Sequence, residues 1–80
     1  MNVKILGAGC SKCKALEQRV RSLDSTHHLN LDIEKVTDLR EIMNYGILAT
    51  PGLVIDGVVK SAGSVPNDEK LLTWLKGTQQ

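Results

Sequence analysis

The stretch Asn2-Val3-Lys4-Ile5-Leu6-Gly7-Ala8-Gly9-Cys10-Ser11-Lys12-Cys13 decides how the rest of the chain is read. Its first residues alternate and then turn apolar, the pattern of a short, part-buried strand. Gly7-Ala8-Gly9 interrupts that pattern as a turn. Cys10 then opens a segment in which Cys13, Leu16, Val20 and Leu23 recur at helical spacing. Lys12, Lys14, Gln18, Arg19, Arg21 and Ser22 fill the opposite face. Glu17 precedes Arg21 by four residues, a favourable helical pair. The reading is strand, glycine turn, then a helix from about Ser11 to about Ser25 with two cysteines at its start.

Working outward, Leu31 to Val36 alternates again and reads as a second strand. Thr37-Asp38 caps a short helix, and Asp38 with Glu41 has the spacing of a capping box. Leu39, Ile42 and Met43 are expected to be that helix's buried stripe, with Gly46 as its stop. Ile47-Leu48-Ala49-Thr50-Pro51 leads into a third strand, Gly52-Leu53-Val54-Ile55. Asp56-Gly57 is a two-residue hairpin turn, and Val58 to Ala62 is the return strand, broken by Gly63. Pro66 precedes the last helix. Asn67 caps that helix, and Asp68 and Glu69 in its first turn suit the helix dipole. Leu71, Leu72, Trp74 and Leu75 are its apolar face. Gly77 ends it, and Thr78-Gln79-Gln80 is expected to fray. The order is β-α-β-α-β-β-α. Strands alternating with helices favour parallel pairing among the first three strands, and the last two form an antiparallel hairpin. The expected architecture is an α/β fold with a four-stranded mixed sheet flanked by helices.

Eighty residues limit the chain to one small domain, 1–80, burying roughly 60–65% of its unfolded surface. Ten basic and nine acidic residues leave no basic footprint for nucleic acid. With one Trp, one Tyr and no Phe, stacking platforms for single strands are missing as well. No apolar run reaches membrane-spanning length, and Met1 to Leu6 has no secretory-signal pattern. A reducing cytoplasm is therefore the expected compartment.

Cys10 and Cys13 are the only cysteines. A bridge between them closes so short a loop that it adds little stability, so the pair is there for chemistry. Cys10 falls at the cap of the first helix, where backbone N–H groups and the dipole favour a thiolate. Cys13 lies on the apolar stripe and should be the sheltered thiol. One exposed, activated sulfur and one sheltered neighbour suit thiol–disulfide exchange, with Cys10 attacking and Cys13 resolving. Residues 1–21 carry a net charge of +4 and the remainder −3. Positive charge is thus concentrated on the cysteine-bearing element, although a solvated helix face would read the same way. Zinc also uses Cys-x-x-Cys, but the remaining candidate ligands, His27 and His28, lie roughly 20 Å along the helix. They read as surface residues at a helix end.

Beyond the residues themselves, the chain resembles the small thioredoxin-like, redox-active disulfide proteins of bacteria and archaea, relatives of thioredoxin and glutaredoxin. The resemblance rests on Val3-Lys4-Ile5 leading into Gly7-Ala8-Gly9-Cys10-Ser11-Lys12-Cys13, on Ala49-Thr50-Pro51-Gly52-Leu53-Val54-Ile55-Asp56-Gly57, and on Gly63 before the last helix. It implies a minimal thioredoxin-like fold and a protein thiol–disulfide oxidoreductase. No cofactor or metal is implied beyond the Cys10–Cys13 disulfide. The resemblance further implies a cis Thr50-Pro51 peptide packed against the cysteines, with the Thr50 backbone pairing to an incoming extended peptide. Gly9, Ser11 and Lys12 are the supporting residues. The expected partners are protein disulfides and an unidentified reductase, which leaves an NADPH-dependent enzyme, glutathione or a membrane protein as donor. A monomer is expected. The chain departs from thioredoxins in lacking the Trp-Cys-Gly-Pro-Cys run and in carrying Lys4 on a strand where they place a buried carboxylate.

Other classes stay open on the residues alone. A soft-metal carrier would hold Cu(I) or zinc through the two thiolates, although copper chaperones run βαββαβ and carry a Met before the motif. A glutaredoxin-like reductase would use glutathione, with Gly63-Ser64 and Asp68 only faintly suited to it. A binding module would use Tyr45 and Trp74 as contacts, and both read better as core or core edge.

Overall fold

Val3 and Ile5 join one hydrophobic cluster and Leu6 another, as a pleated strand with apolar residues on both sides requires. These residues belong to β1 (Asn2–Leu6) in a computed structural model that describes residues 1–77. The fraying expected of Thr78-Gln79-Gln80 lies outside the described residues. After β1 come α1 (Ser11–His27), β2 (Asp32–Val36), α2 (Leu39–Asn44), β3 (Gly52–Ile55), β4 (Val58–Ala62) and α3 (Asp68–Leu75). The order is β-α-β-α-β-β-α, as the sequence patterns indicate, and it is not the βαββαβ order of copper chaperones.

The sheet order is β2-β1-β3-β4. β1 and β2 are parallel, with Ile5 opposite Lys35 and Leu6 opposite Val36. β3 runs antiparallel to β1, with Leu6 opposite Gly52, and β4 is antiparallel to β3. The expectation of parallel pairing across all three leading strands is therefore corrected at β3. The reason is length. α1 has 17 residues, roughly 25 Å at the usual helical rise, enough to carry the chain back along the sheet before β2 begins. α2 has six residues, roughly 9 Å, and cannot return over a strand of roughly 17 Å. Residues 37–51 therefore cross at one end of the sheet, and β3 starts beside the end of β1.

Each face of the sheet has its own cluster. On one face Val3, Ile5, Leu53 and Ile55 pack against Leu16 and Val20 of α1 and Leu71 and Leu75 of α3, with Trp74 partly buried at the edge. On the other, Leu6, Val36 and Val54 pack against Ile42 of α2, with Tyr45 and Ile47 beside them. Tyr45 and Trp74 are thus core-edge residues. The stripe expected of α2 is corrected here. Ile42 is buried, but Leu39 is 68% and Met43 64% exposed. A helix of fewer than two turns meets the sheet through one residue, and Tyr45 and Ile47 fill the rest of that side.

Local signals place most element ends. Asp38 Oδ1 accepts from the N–H groups of Arg40 and Glu41, and Asn67 Oδ1 accepts from Lys70 N–H. Asp56 and Gly57 both have positive φ, as a two-residue hairpin of mirror-image type requires. α1 runs two residues past the expected Ser25. His28 adopts the left-handed conformation, and Leu29 N–H donates to Asp24 O, which closes the helix in a Schellman arrangement. A histidine takes the position more often given to glycine, so the stop has only a weak sequence signature.

Candidate active site

Cys10 and Cys13 are joined by a disulfide, with Cα atoms 5.0 Å apart. Cys10 is the N-cap of α1 in extended conformation, and its Sγ accepts a hydrogen bond from Cys13 N–H at 3.2 Å. The cap role, commonly played by a Ser or Asp oxygen, is therefore filled by the sulfur itself. Gly9, just before it, has φ of +86°, a conformation that side chains resist. The glycine lets the chain turn sharply from strand to helix. Cys10 is exposed, whereas Cys13 is only 5% exposed because it lies on the same helical stripe as Leu16 and Val20. Ser11 and Lys12 between them are exposed. Only the outer sulfur stands open to solvent, with the inner one behind it.

Gly7 is a site residue that the sequence shows only as part of a turn. A Cβ placed on it would collide with Cys13 Sγ and would come 3.8 Å from Thr50 Cβ. Gly7 therefore marks the point where the end of β1, the sheltered sulfur and the Thr50-Pro51 loop converge, and only the absence of a side chain lets them do so. Gly7 N–H is anchored to Val36 O at 2.9 Å. The Thr50-Pro51 peptide is cis. Pro51 is buried and accepts at its carbonyl from Gly63 N–H at 2.8 Å, while Thr50 stays exposed. The structure thus brings Thr50 to the cysteine pair across Gly7. His27 lies at the far end of α1, with His28 its cap. Among the described residues no third metal-ligating side chain joins the cysteines in a cluster.

Three further charged groups, Lys14, Glu17 and Lys35, reach the site. A pocket opening at Cys13 is lined by Ile5, Gly7, Gly9, Lys14, Glu17 and Lys35. Glu17 follows Cys13 by one helical turn, so its placement is legible in the i, i+4 spacing once attention falls on Cys13. Lys35 arrives only through the pairing of β2 with β1. Glu17 accepts from Arg21 Nε at 2.9 Å and lies 3.5 Å from Lys35 Nζ. The Arg21 hydrogen bond, with Lys35 beside it, holds the Glu17 carboxyl below its ordinary value, against the opposing effect of burial. On the other face, Lys4 Nζ donates to the Tyr45 hydroxyl at 3.3 Å, and that bond raises the Lys4 ammonium above its ordinary value. Lys4 belongs to the α2 side of the sheet and does not line the cysteine pocket.

A helix-capping half-cystine in front of a sheltered partner, on a four-stranded sheet, defines the class: a thiol–disulfide exchange protein. Comparison with known proteins carries this further. The thioredoxin domain family model matches residues 1–76. A thioredoxin of Methanothermobacter thermautotrophicus is 32% identical over 71 residues, covering 89% of this chain and 92% of the relative. A thioredoxin of Methanocaldococcus jannaschii is 32% identical over 74 residues, covering 92% of this chain and 85% of the relative. The chain belongs to the thioredoxin family and is a small thiol–disulfide oxidoreductase working through the Cys10–Cys13 pair. Among the described residues no helix is long and apolar enough to cross a membrane.

Proposed function

We propose that Cys10 is the attacking sulfur and Cys13 the resolving sulfur in the reduction of protein disulfides. The Cys10 thiolate attacks one sulfur of the substrate disulfide, a mixed disulfide forms, and the second substrate sulfur leaves as thiolate and takes up a proton. Cys13 then loses its proton and attacks Cys10 Sγ. The Cys10–Cys13 bond closes, and the remaining substrate sulfur leaves as thiolate and is protonated. The substrate gains two electrons from the protein and two protons, one matching the proton that Cys13 loses and one from solvent, where Cys10 released its own on forming the thiolate. The contrast in exposure between Cys10 and Cys13 carries this reading. The helix N-terminus favours a thiolate at Cys10. Gly9 shapes the turn, Ser11 and Lys12 border the attacking sulfur, and the Thr50 backbone beside Pro51 pairs with the extended substrate chain as an added strand would.

The couple needs no other cofactor. The chain works in a reducing cytoplasm as a monomer, and it is returned to the dithiol state by a reductase, by glutathione or by a membrane-bound donor. The test is a redox titration in dithiol buffers with free thiols trapped and counted by mass. A reversible two-thiol step at roughly −180 to −300 mV is expected. Cys13→Ser should accumulate a stable mixed disulfide with a substrate, and Cys10→Ser should form none. The absence of a reversible Cys10–Cys13 step, or undiminished reduction by Cys10→Ser, would overturn the assignment.

A further inference from the structure

Lys12 and Lys14 sit where the helix dipole disfavours them. They fall at the start of a 17-residue helix that has no acidic residue in its first turn, and cations at that end oppose the dipole. The other helices do carry carboxylates in their first turns, Glu41 beside Arg40 in α2 and Asp68 and Glu69 before Lys70 in α3. Both lysines are exposed, and neither has an ion-pair partner among the described residues. Arg19, Arg21 and Lys35 are by contrast all paired, to Asp68 or Glu17. The helical angle of about 100° per residue places Lys12 and Lys14 on either side of Cys13. Lys14, four residues after Cys10, shares its side of the helix. Lys14 and Lys35 also line the pocket at Cys13, where the sole carboxylate, Glu17, is engaged by Arg21 and Lys35. Any substrate disulfide must approach an exposed Cys10 framed by unneutralised positive charge. A local rule broken beside a reactive group marks function overriding helix stability.

We propose that the preferred substrates are disulfides whose cysteines are flanked by acidic residues, recognised by Lys12 and Lys14 as the substrate sulfur closes on Cys10. This inference rests on the role given to Cys10 above. Complementary charge of this kind speeds encounter and sets partner choice.

The test uses two peptides with the same intrachain disulfide, one with Glu and one with Lys on both sides of each cysteine. Each is reduced by the full-length dithiol protein and by Lys12→Gln/Lys14→Gln. The quantity read is the Glu-peptide to Lys-peptide ratio of kcat/KM. Comparing that ratio between the two proteins cancels both the intrinsic reactivity of each peptide and any change in Cys10 reactivity. Exposed pairs are individually weak, so the ratio should fall roughly fivefold to tenfold in the double variant. It should invert in Lys12→Glu/Lys14→Glu and lose its dependence on the lysines near 1 M salt, where screening acts over about 3 Å. The same ratio in all three proteins at low salt would overturn the proposal while leaving the oxidoreductase intact. Failure of the unaltered protein to reduce either peptide, or a disulfide peptide with uncharged flanks, would overturn the underlying role of Cys10 as well.

Discussion

α1 and α3 seal one face of the sheet with Leu16, Val20, Leu71 and Leu75, whereas α2 contributes Ile42 alone to the other. The sealed face holds the helix that carries Cys10 and Cys13, so the exposed and the sheltered sulfur sit on an element packed against the sheet through Leu16 and Val20. The thinner face borders the loop that leads to Thr50-Pro51. There Leu39, Met43, Leu48 and Thr50 line an open groove of about 360 Å³. Packing quality follows helix length: 17 residues supply several buried positions at helical spacing, and six supply one. The contrast teaches that close packing is concentrated behind the sulfurs, while the surface beside the proline loop is left uncovered.

The largest expected effect comes from breaking the sealed face. Leu16→Ala removes a fully buried side chain one turn below Cys13 and should cost about 2–5 kcal/mol in urea unfolding. Ile42→Ala should fall at the low end of that range, because the adjoining groove lets the site relax. Equal losses for the two variants would erase the distinction between the faces. Gly7→Ala comes next. Its methyl meets Cys13 Sγ, which the disulfide prevents from swinging aside, and overpacking of this kind costs about 1–3 kcal/mol. The same variant should shift the thiol–disulfide equilibrium measured in dithiol buffers. An unchanged melting temperature and equilibrium would show that β1 yields easily at this point.

Smaller effects sharpen the comparison. Glu17 is the charged neighbour of the sealed face, and its carboxyl is held below the ordinary value of 4.5. A depressed folded-state value stabilises above the unfolded one and is lost as pH falls through the folded value. Glu17→Gln should therefore cost roughly a few tenths of a kcal/mol at neutral pH, because its partners Arg21 and Lys35 are about half exposed and screened by solvent, and that deficit should fade as pH falls through the lowered carboxyl value. A deficit that persists into acid would mean that Glu17 acts through packing alone. Met43→Ser, on the exposed side of α2, should stay within about 0.5 kcal/mol of the parent. A loss comparable to that of Ile42→Ala would place Met43 in the core after all.

Much of this was legible because the signals are short-ranged. Asn67 and Asp38 mark their helices through bonds to residues two or three positions on, and Asp56-Gly57 specifies its turn by backbone conformation alone. Cys10 and Cys13 announce a cap position and a buried stripe within one turn of helix. Other features were illegible for equally physical reasons. Leu39 and Met43 have the spacing of a buried pair, yet their helix is too short to lay both on the sheet. The stop of α1 at His28 is a tertiary choice as much as a local one, since Leu29 packs against the main cluster.

The amino-acid sequence by itself determines the order of elements, the glycine turn into α1 and the unequal burial of the two cysteines. Each of these depends on periodicity or capping within a few neighbouring residues. Only the tertiary structure decides that β3 runs antiparallel to β1, that Lys35 reaches Glu17 beside Cys13, and that Thr50 meets Cys13 across Gly7. Those outcomes join residues far apart in the chain, and they depend on helix length, strand register and the space left by a missing side chain.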